Sequence, residues 1–280
     1  MPWTEHAIVV RQRRRFAAVD LVARVADGFR LHITGRNAAV LAYFGVLTLF
    51  PLLMAATTIL GFVLEDRPGL QQDIVDSALA QIPVVGSTIR EQAGDIGGNW
   101  IALIVGLLGA IWGSLKAFVA TQTAFDDIWE VPIDDRANAV VKRGRALIGV
   151  AVIGTAQIAN VTLAGMVAEA NFPRLGQIAL TFGGLAINVV TLASMYRFLT
   201  SRKPTWTEVW PGAALGGFAY TVLQYAGTAI MTSAFKSAEG VYGDFAGLLV
   251  LMSWISMHAL VALVGAELNT AVVKRQAELA

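Results

Sequence analysis

Residues 245–266 read FAGLLVLMSWISMHALVALVGA and carry no charged side chain. A hydrocarbon layer roughly 30 Å thick is crossed by about 20 such residues at about 1.5 Å rise each. Five further stretches share this character, 37–64, 100–120, 146–168, 176–196 and 211–234, and the six together hold one charge, Lys116. With 56% hydrophobic and 15% charged residues over 280 positions, the chain is too apolar for an ordinary soluble domain, which excludes a soluble enzyme. The expected fold is all-α, a polytopic membrane protein with six transmembrane helices.

The loops differ sharply in charge. Segments before 37, at 121–145, at 197–210 and after 266 hold sixteen Lys and Arg, whereas 65–99, 169–175 and 235–244 hold four. Short loops rich in Lys and Arg stay cytoplasmic, so both termini are expected inside and 65–99 is expected as an outer loop. The domain division that follows is a cytoplasmic segment 1–36, a six-helix transmembrane domain 37–270 and a cytoplasmic tail 271–280. Absence of cysteine excludes disulfides, thiolate nucleophiles and Cys-ligated metals. Arg11, Arg13, Arg14 and Arg15 precede a segment too interrupted for a cleaved signal peptide, so span one is expected to act as its own insertion signal.

Between 16 and 34, Val22, Val25, Phe29 and Ile33 share one helical face, with Asp20, Arg24, Asp27 and Leu31 on another. This predicts an amphipathic helix on the inner leaflet, its upstream arginines beside anionic headgroups. In the outer loop Leu70, Ile74, Leu79 and Ile82 recur at helix spacing before Pro83, the pattern of a short surface helix or of a solvated acidic face. Pro51 lies inside span one and predicts a kink. The pairs Gly109/Gly113, Gly212/Gly216 and Gly243/Gly247 have the spacing that permits close helix approach in lipid.

Polar side chains within the spans are the main functional signal. Gln157, Asn160, Asn188, Gln224 and His258 fall near mid-membrane on four helices; they either hydrogen-bond across helices or line a wet pathway for a polar cargo. Lys116 and Glu267 approach the inner ends of spans two and six, where they either pair or act separately. The loop DDIWEVPIDDR gathers Asp126, Asp127, Glu130, Asp134 and Asp135, but without EF-hand or His-Glu spacing; a solvated charged hairpin is the expectation, with no metal. No G-x-S-x-G, H-E-x-x-H, P-loop or G-x-G-x-x-G is present, so no enzyme and no cofactor is expected, and any transport would be passive, ion-coupled or driven by a partner.

Several motifs jointly point to a family. Ala42, Tyr43, Thr48, Leu49 and Pro51 in span one, then Pro204, Trp210, Pro211, Gly212 and Ala213, Tyr242 and Gly243, Gly247, Trp254, and the closing Gly265, Ala266, Glu267, Leu268 and Asn269 resemble the YihY/virulence factor BrkB family in order and spacing, over about 20–270. The resemblance implies six-helix inner-membrane proteins with cytoplasmic termini. Members were once labelled ribonuclease BN, and others are linked to serum resistance or envelope lipid export. Ser256, His258 and Asp126 depart from the family pattern, which argues against a family-wide role for His258. The function expected is transport or handling of an amphipathic envelope component such as a lipid, with membrane lipids as partners. The alternative is a non-transporting scaffold bound to envelope-assembly proteins. Nucleic acid is not an expected partner, since the chain has almost no cytoplasmic domain to hold RNA.

Overall fold

The computed structural model describes residues 12–13, 15–63, 100–169 and 174–279, with the backbone alone at 53, 56, 57, 59–63, 102, 157–169, 174–180, 225, 228 and 244. The expected outer loop 65–99, with its Leu70, Ile74, Leu79 and Ile82 helix, lies outside the described residues. Among the described residues the chain is helical and holds no strand: α1 Ala17–Leu31, α2 Thr34–Val63, α3 Trp100–Ile128, a 3-10 turn Ile133–Asp135, α4 Ala139–Glu169, α5 Arg174–Phe198, α6 Trp206–Tyr242, a second 3-10 turn Gly243–Phe245, and α7 Ala246–Leu279. Three of these are long and apolar enough to cross a membrane among the described residues, within Thr34–Leu52, Leu103–Ile128 and Ala246–Leu279.

Local chemistry sets the helix ends. Asn138 caps α4, its Oδ1 accepting from the N–H of Val141 at 2.9 Å. Thr205 and Glu208 form the returning half of a capping box at α6, with Glu208 Oε2 accepting from the Thr205 N–H at 2.6 Å. At the end of α3 the Val131 N–H reaches Asp126 O and the Glu130 N–H reaches Asp127 O, a Schellman closure that places Glu130 at φ +51°. Gly243, at φ +52° with open space around it, makes the turn after α6. Its role is therefore the turn, and not the close packing that its spacing from Gly247 suggested.

The chain forms two compact units. The first comprises Met1–Val40, Phe118–Leu223 and His258–Ala280. Its core holds Phe125, Ile128, Leu192, Tyr196, Val209 and Leu263, with the Phe125 and Tyr196 rings edge-on at 5.3 Å. Here α5, α6 and α7 cross closely: a Cβ on Gly212 would collide with the Gly265 carbonyl, and a Cβ on Gly265 would stand 2.8 Å from Gly212 O. Tyr196 Oη donates to Ala262 O at 2.7 Å and Asn269 Oδ1 accepts from the Gly212 N–H at 2.6 Å, bonds made across helices, while Asn269 Nδ2 is buried without a partner.

The second unit comprises Leu41–Ala117 and Gln224–Met257. Gly106, Gly109 and Gly113 of α3 face Ala55, Pro51 and Thr48 of α2, so close that any Cβ would press on them. Proline lacks the N–H that would bond four residues back. Thr48 Oγ1 donates to Phe44 O at 2.7 Å just before that gap. On α3, Ile104, Val105, Leu108, Ile111 and Trp112 are exposed, an apolar surface suited to lipid.

Candidate functional site

α1 packs on α7 through its charged face. Asp20 and Ala23 are buried, whereas Val22 is 62% exposed and Leu31 and Ile33 also face outward. Asp20 accepts from Arg24 at 2.8 Å and lies 3.5 Å from Arg275; Arg24 makes a two-pronged bond to Glu278 at 2.6 and 2.8 Å. These pairs hold the last turns of α7, so residues 271–279, expected as a tail, continue the helix.

Glu267 is the centre of the site. Its neighbours Gly265 and Asn269, four residues apart, meet α6, and at about 100° per residue Glu267 projects to nearly the opposite side, toward α1. It is 2% exposed. Thr34 Oγ1 donates to its Oε1 at 2.7 Å, and His32 Nδ1 lies 2.9 and 3.1 Å from the two carboxylate oxygens. Gly28 permits this approach, since a Cβ there would strike Glu267 Oε2. His32 Nε2 is buried without a hydrogen bond, 3.5 Å from Glu130 Oε1, and Glu130 in turn accepts from Lys274 Nζ at 2.8 Å. The four groups run from the buried Glu267 to the half-exposed Glu130 and Lys274, along a cleft of about 550 Å³ also lined by Arg24, Asp27 and Arg30.

The hydrogen bond to Glu267 raises the His32 pKa above its usual value, against the opposing effect of burial. The Lys274 ammonium lowers that of Glu130. Two of the three non-glycine residues with left-handed backbone among the described residues flank this cleft: Ile33 at φ +52° and Glu130 at φ +51°. A β-branched residue there is a genuine outlier, and each such position costs on the order of 1–3 kcal/mol. Ile33 makes the turn that aims both His32 and Thr34 at Glu267.

The polar residues expected near mid-membrane are placed as follows. Gln157 and Asn160 lie on α4, where only the backbone is described. Asn188 is buried and its Nδ2 donates to Thr221 Oγ1 at 3.2 Å. His258 stacks on Tyr220 at 5.2 Å, and its carbonyl accepts from Tyr220 Oη at 2.8 Å. Gln224 is exposed in the second unit. Lys116 Nζ rests over the Trp112 ring at 5.8 Å, while Glu267 takes its partners from His32 and Thr34. Of the family-motif residues, Gly212, Gly265 and Asn269 meet at one crossing, with Pro211 one residue before it in α6; Pro51 sits under Gly109 and Trp254 covers Gly227. Tyr43, Trp210 and Tyr242 are exposed.

Sequence reasoning missed three participants. The expected solvated hairpin is corrected at Asp126, which is 0% exposed, accepts from the Ser201 N–H at 2.7 Å and the Ser201 hydroxyl at 3.1 Å, and lies 3.5 Å from Lys142 Nζ. Asp126 lies on the buried side of α3 with Gln122 and Phe125, while Asp134 and Asp135, past the helix end, are exposed. His32 and Thr34 were missed as partners of Glu267, since nothing in the sequence marks Ile33 between them as left-handed. Among the described residues no group of three His, Asp or Glu side chains is set to hold a metal ion.

Comparison with known proteins places this arrangement among membrane proteins. A family model described as virulence factor BrkB matches residues 25–280. A UPF0761 membrane protein of Alkalilimnicola ehrlichii is 27% identical over 91% of this chain and 58% of its own length. A ribonuclease-like protein, YfkH, of Bacillus subtilis is 20% identical over 89% of this chain and 93% of its own. The inner membrane protein YhjD of Escherichia coli is 24% identical over 84% of this chain and 77% of its own. The chain thus spans less than two thirds of the first of these relatives. No solved structure matches.

Proposed function

The chain belongs to the virulence factor BrkB family of membrane proteins, and from that premise we propose that it is a six-span cytoplasmic (inner) membrane protein, both termini inside, that moves or handles an amphipathic cell-envelope component, a lipid in particular. The observation that carries this reading is the Glu267 cluster. A buried carboxylate bound to a histidine of raised pKa, opening onto a cleft and held by strained turns, is more than a packing device needs. A proton on His32 gives it the charge that pairs with Glu267 between α1 and α7, which suits an ion-coupled step. Consistent with the membrane setting, α3 exposes an apolar surface.

The test is movement of fluorescent lipids across proteoliposome membranes under a pH gradient. Movement that depends on the gradient, and falls with His32→Gln or Glu267→Gln, is the expected result. No movement of any anionic or zwitterionic lipid, with the gradient in either direction, would sink the reading.

A scaffold for envelope assembly is the second reading, favoured by the cross-helix bonds of Asn188 and Tyr220, which are what a dry bundle uses. Single cysteines at 188, 224 and 258 in the naturally cysteine-free chain separate the two. Labelling by an impermeant thiol reagent favours a wet pathway, and uniform protection favours the scaffold.

A further inference from the structure

A second cavity, of about 350 Å³, opens in the first unit where α4 begins and α5 ends, away from Glu267. Its walls are mostly apolar, with Ile148 and Val152 of α4 and Phe198 of α5 among them, and three cations line it: Arg145, Arg197 and Lys203. Among the described residues none of the three meets a carboxylate. Arg145 donates to Thr200 O at 3.3 Å, and Arg197 donates to Pro204 O at 2.6 Å while its guanidinium rests over the Trp206 ring at 4.9 Å. Each guanidinium carries five N–H donors, so most remain unspent after these bonds. Lys203 stands in the left-handed region at φ +58°, the third such non-glycine residue among the described residues. Strained backbone marks this cavity as it marks the first.

Carboxylate-free cations beside apolar walls complement an anion attached to a hydrocarbon chain, and neither part alone. We propose that this cavity binds an anionic phospholipid of the inner leaflet, its phosphate held by Arg145, Arg197 and Lys203 and an acyl chain lying along Ile148, Val152 and Phe198. Arginine pairs with phosphate through parallel N–H bonds, and basic pockets between membrane helices on the cytoplasmic side are suited to such headgroups. The site rests on the membrane topology proposed above but not on transport, since a tightly held lipid serves a scaffold as well as a transporter.

The test is native mass spectrometry of the detergent-solubilised full chain titrated with dioleoyl phosphatidylglycerol or dioleoyl phosphatidylcholine. Phosphatidylglycerol is expected to bind more tightly. The variant R145Q/R197Q/K203Q is expected to lose at least roughly tenfold in that affinity, whereas R143Q, an exposed charge outside the cavity, is expected to lose little. V152W fills the cavity without changing charge and is expected to weaken both lipids. Thermal unfolding in the same detergent verifies that each variant is folded. Equal phosphatidylglycerol affinity in V152W and wild type would overturn the proposal, as would an R143Q loss as large as the triple variant's. Displacement of the lipid by glycerophosphate at equal concentration would overturn the lipid assignment in favour of a free-anion site. Because binding is read without a gradient, failed lipid movement in proteoliposomes leaves this result intact.

Discussion

His32 Nδ1 lies 2.9 Å from Glu267 Oε1, joining α1 to α7 across 235 positions of sequence. The pair has a defined pH signature. Because the folded-state pKa of His32 is raised, chiefly by this hydrogen bond, its stabilisation is complete below the unfolded value and is lost as pH rises through the folded value. Thermal unfolding should therefore shift to lower temperature as pH climbs above about 6.5, and His32→Gln should flatten that part of the profile. An unchanged slope in the variant would refute the assignment.

Glu267→Ala leaves His32 and Thr34 without their shared acceptor. Breaking a buried, hydrogen-bonded pair costs about 3–5 kcal/mol, so this variant should unfold far more readily than wild type in detergent. Glu267→Gln keeps the volume and an acceptor for Thr34, and should cost clearly less. Equal loss in both would mean that the carboxylate's charge contributes most of the effect.

Asp126, near the end of α3, and Asp134, in the 3-10 turn eight residues on, differ in burial. Asp126→Ala leaves the Ser201 N–H without its acceptor and should cost about 1–3 kcal/mol, while Asp134→Ala should fall within about 0.5 kcal/mol of wild type. Denaturant or thermal unfolding of the two variants checks the contrast.

Glycines divide by surroundings. Gly212→Ala drives a methyl group into the Gly265 carbonyl and should prevent normal packing of α6 on α7, read as loss of the folded, monodisperse species. Gly144→Ala, on α4 with open space around it, should instead stabilise by about 0.5–1 kcal/mol through helix propensity.

Glu130 holds the helix-terminal position that favours glycine. Glu130→Gly relieves the left-handed strain while removing the exposed bond to Lys274, so stability should change by less than about 1 kcal/mol. If the residue is kept for function, lipid movement in proteoliposomes falls while stability holds; unaltered movement would assign Glu130 to surface structure alone.

The helical, membrane-bound character of this protein was legible in its sequence because the cause is local. A run such as 245–266 without a charge, the Pro51 interruption, and Gly109 and Gly113 four residues apart each carry their meaning within a few turns. The amphipathic pattern of 16–34 likewise announced α1, and the spacing of Gly212 and Gly216 announced a close helix approach. Partner choice was not legible. The sequence left open whether Glu267 pairs with Lys116, because depth along an axis says nothing about rotation around it. Which residues meet Glu267 depends on the crossing of α1 over α7, opened by Gly28 and aimed by the left-handed Ile33. The same holds for Asp126, set on the buried side of α3 against Ser201, a placement that a count of acidic residues cannot show. Hydrophobic length and charge are properties of a segment, and the sequence determined them; buried pairs are properties of two surfaces brought together, and only the tertiary structure decided those.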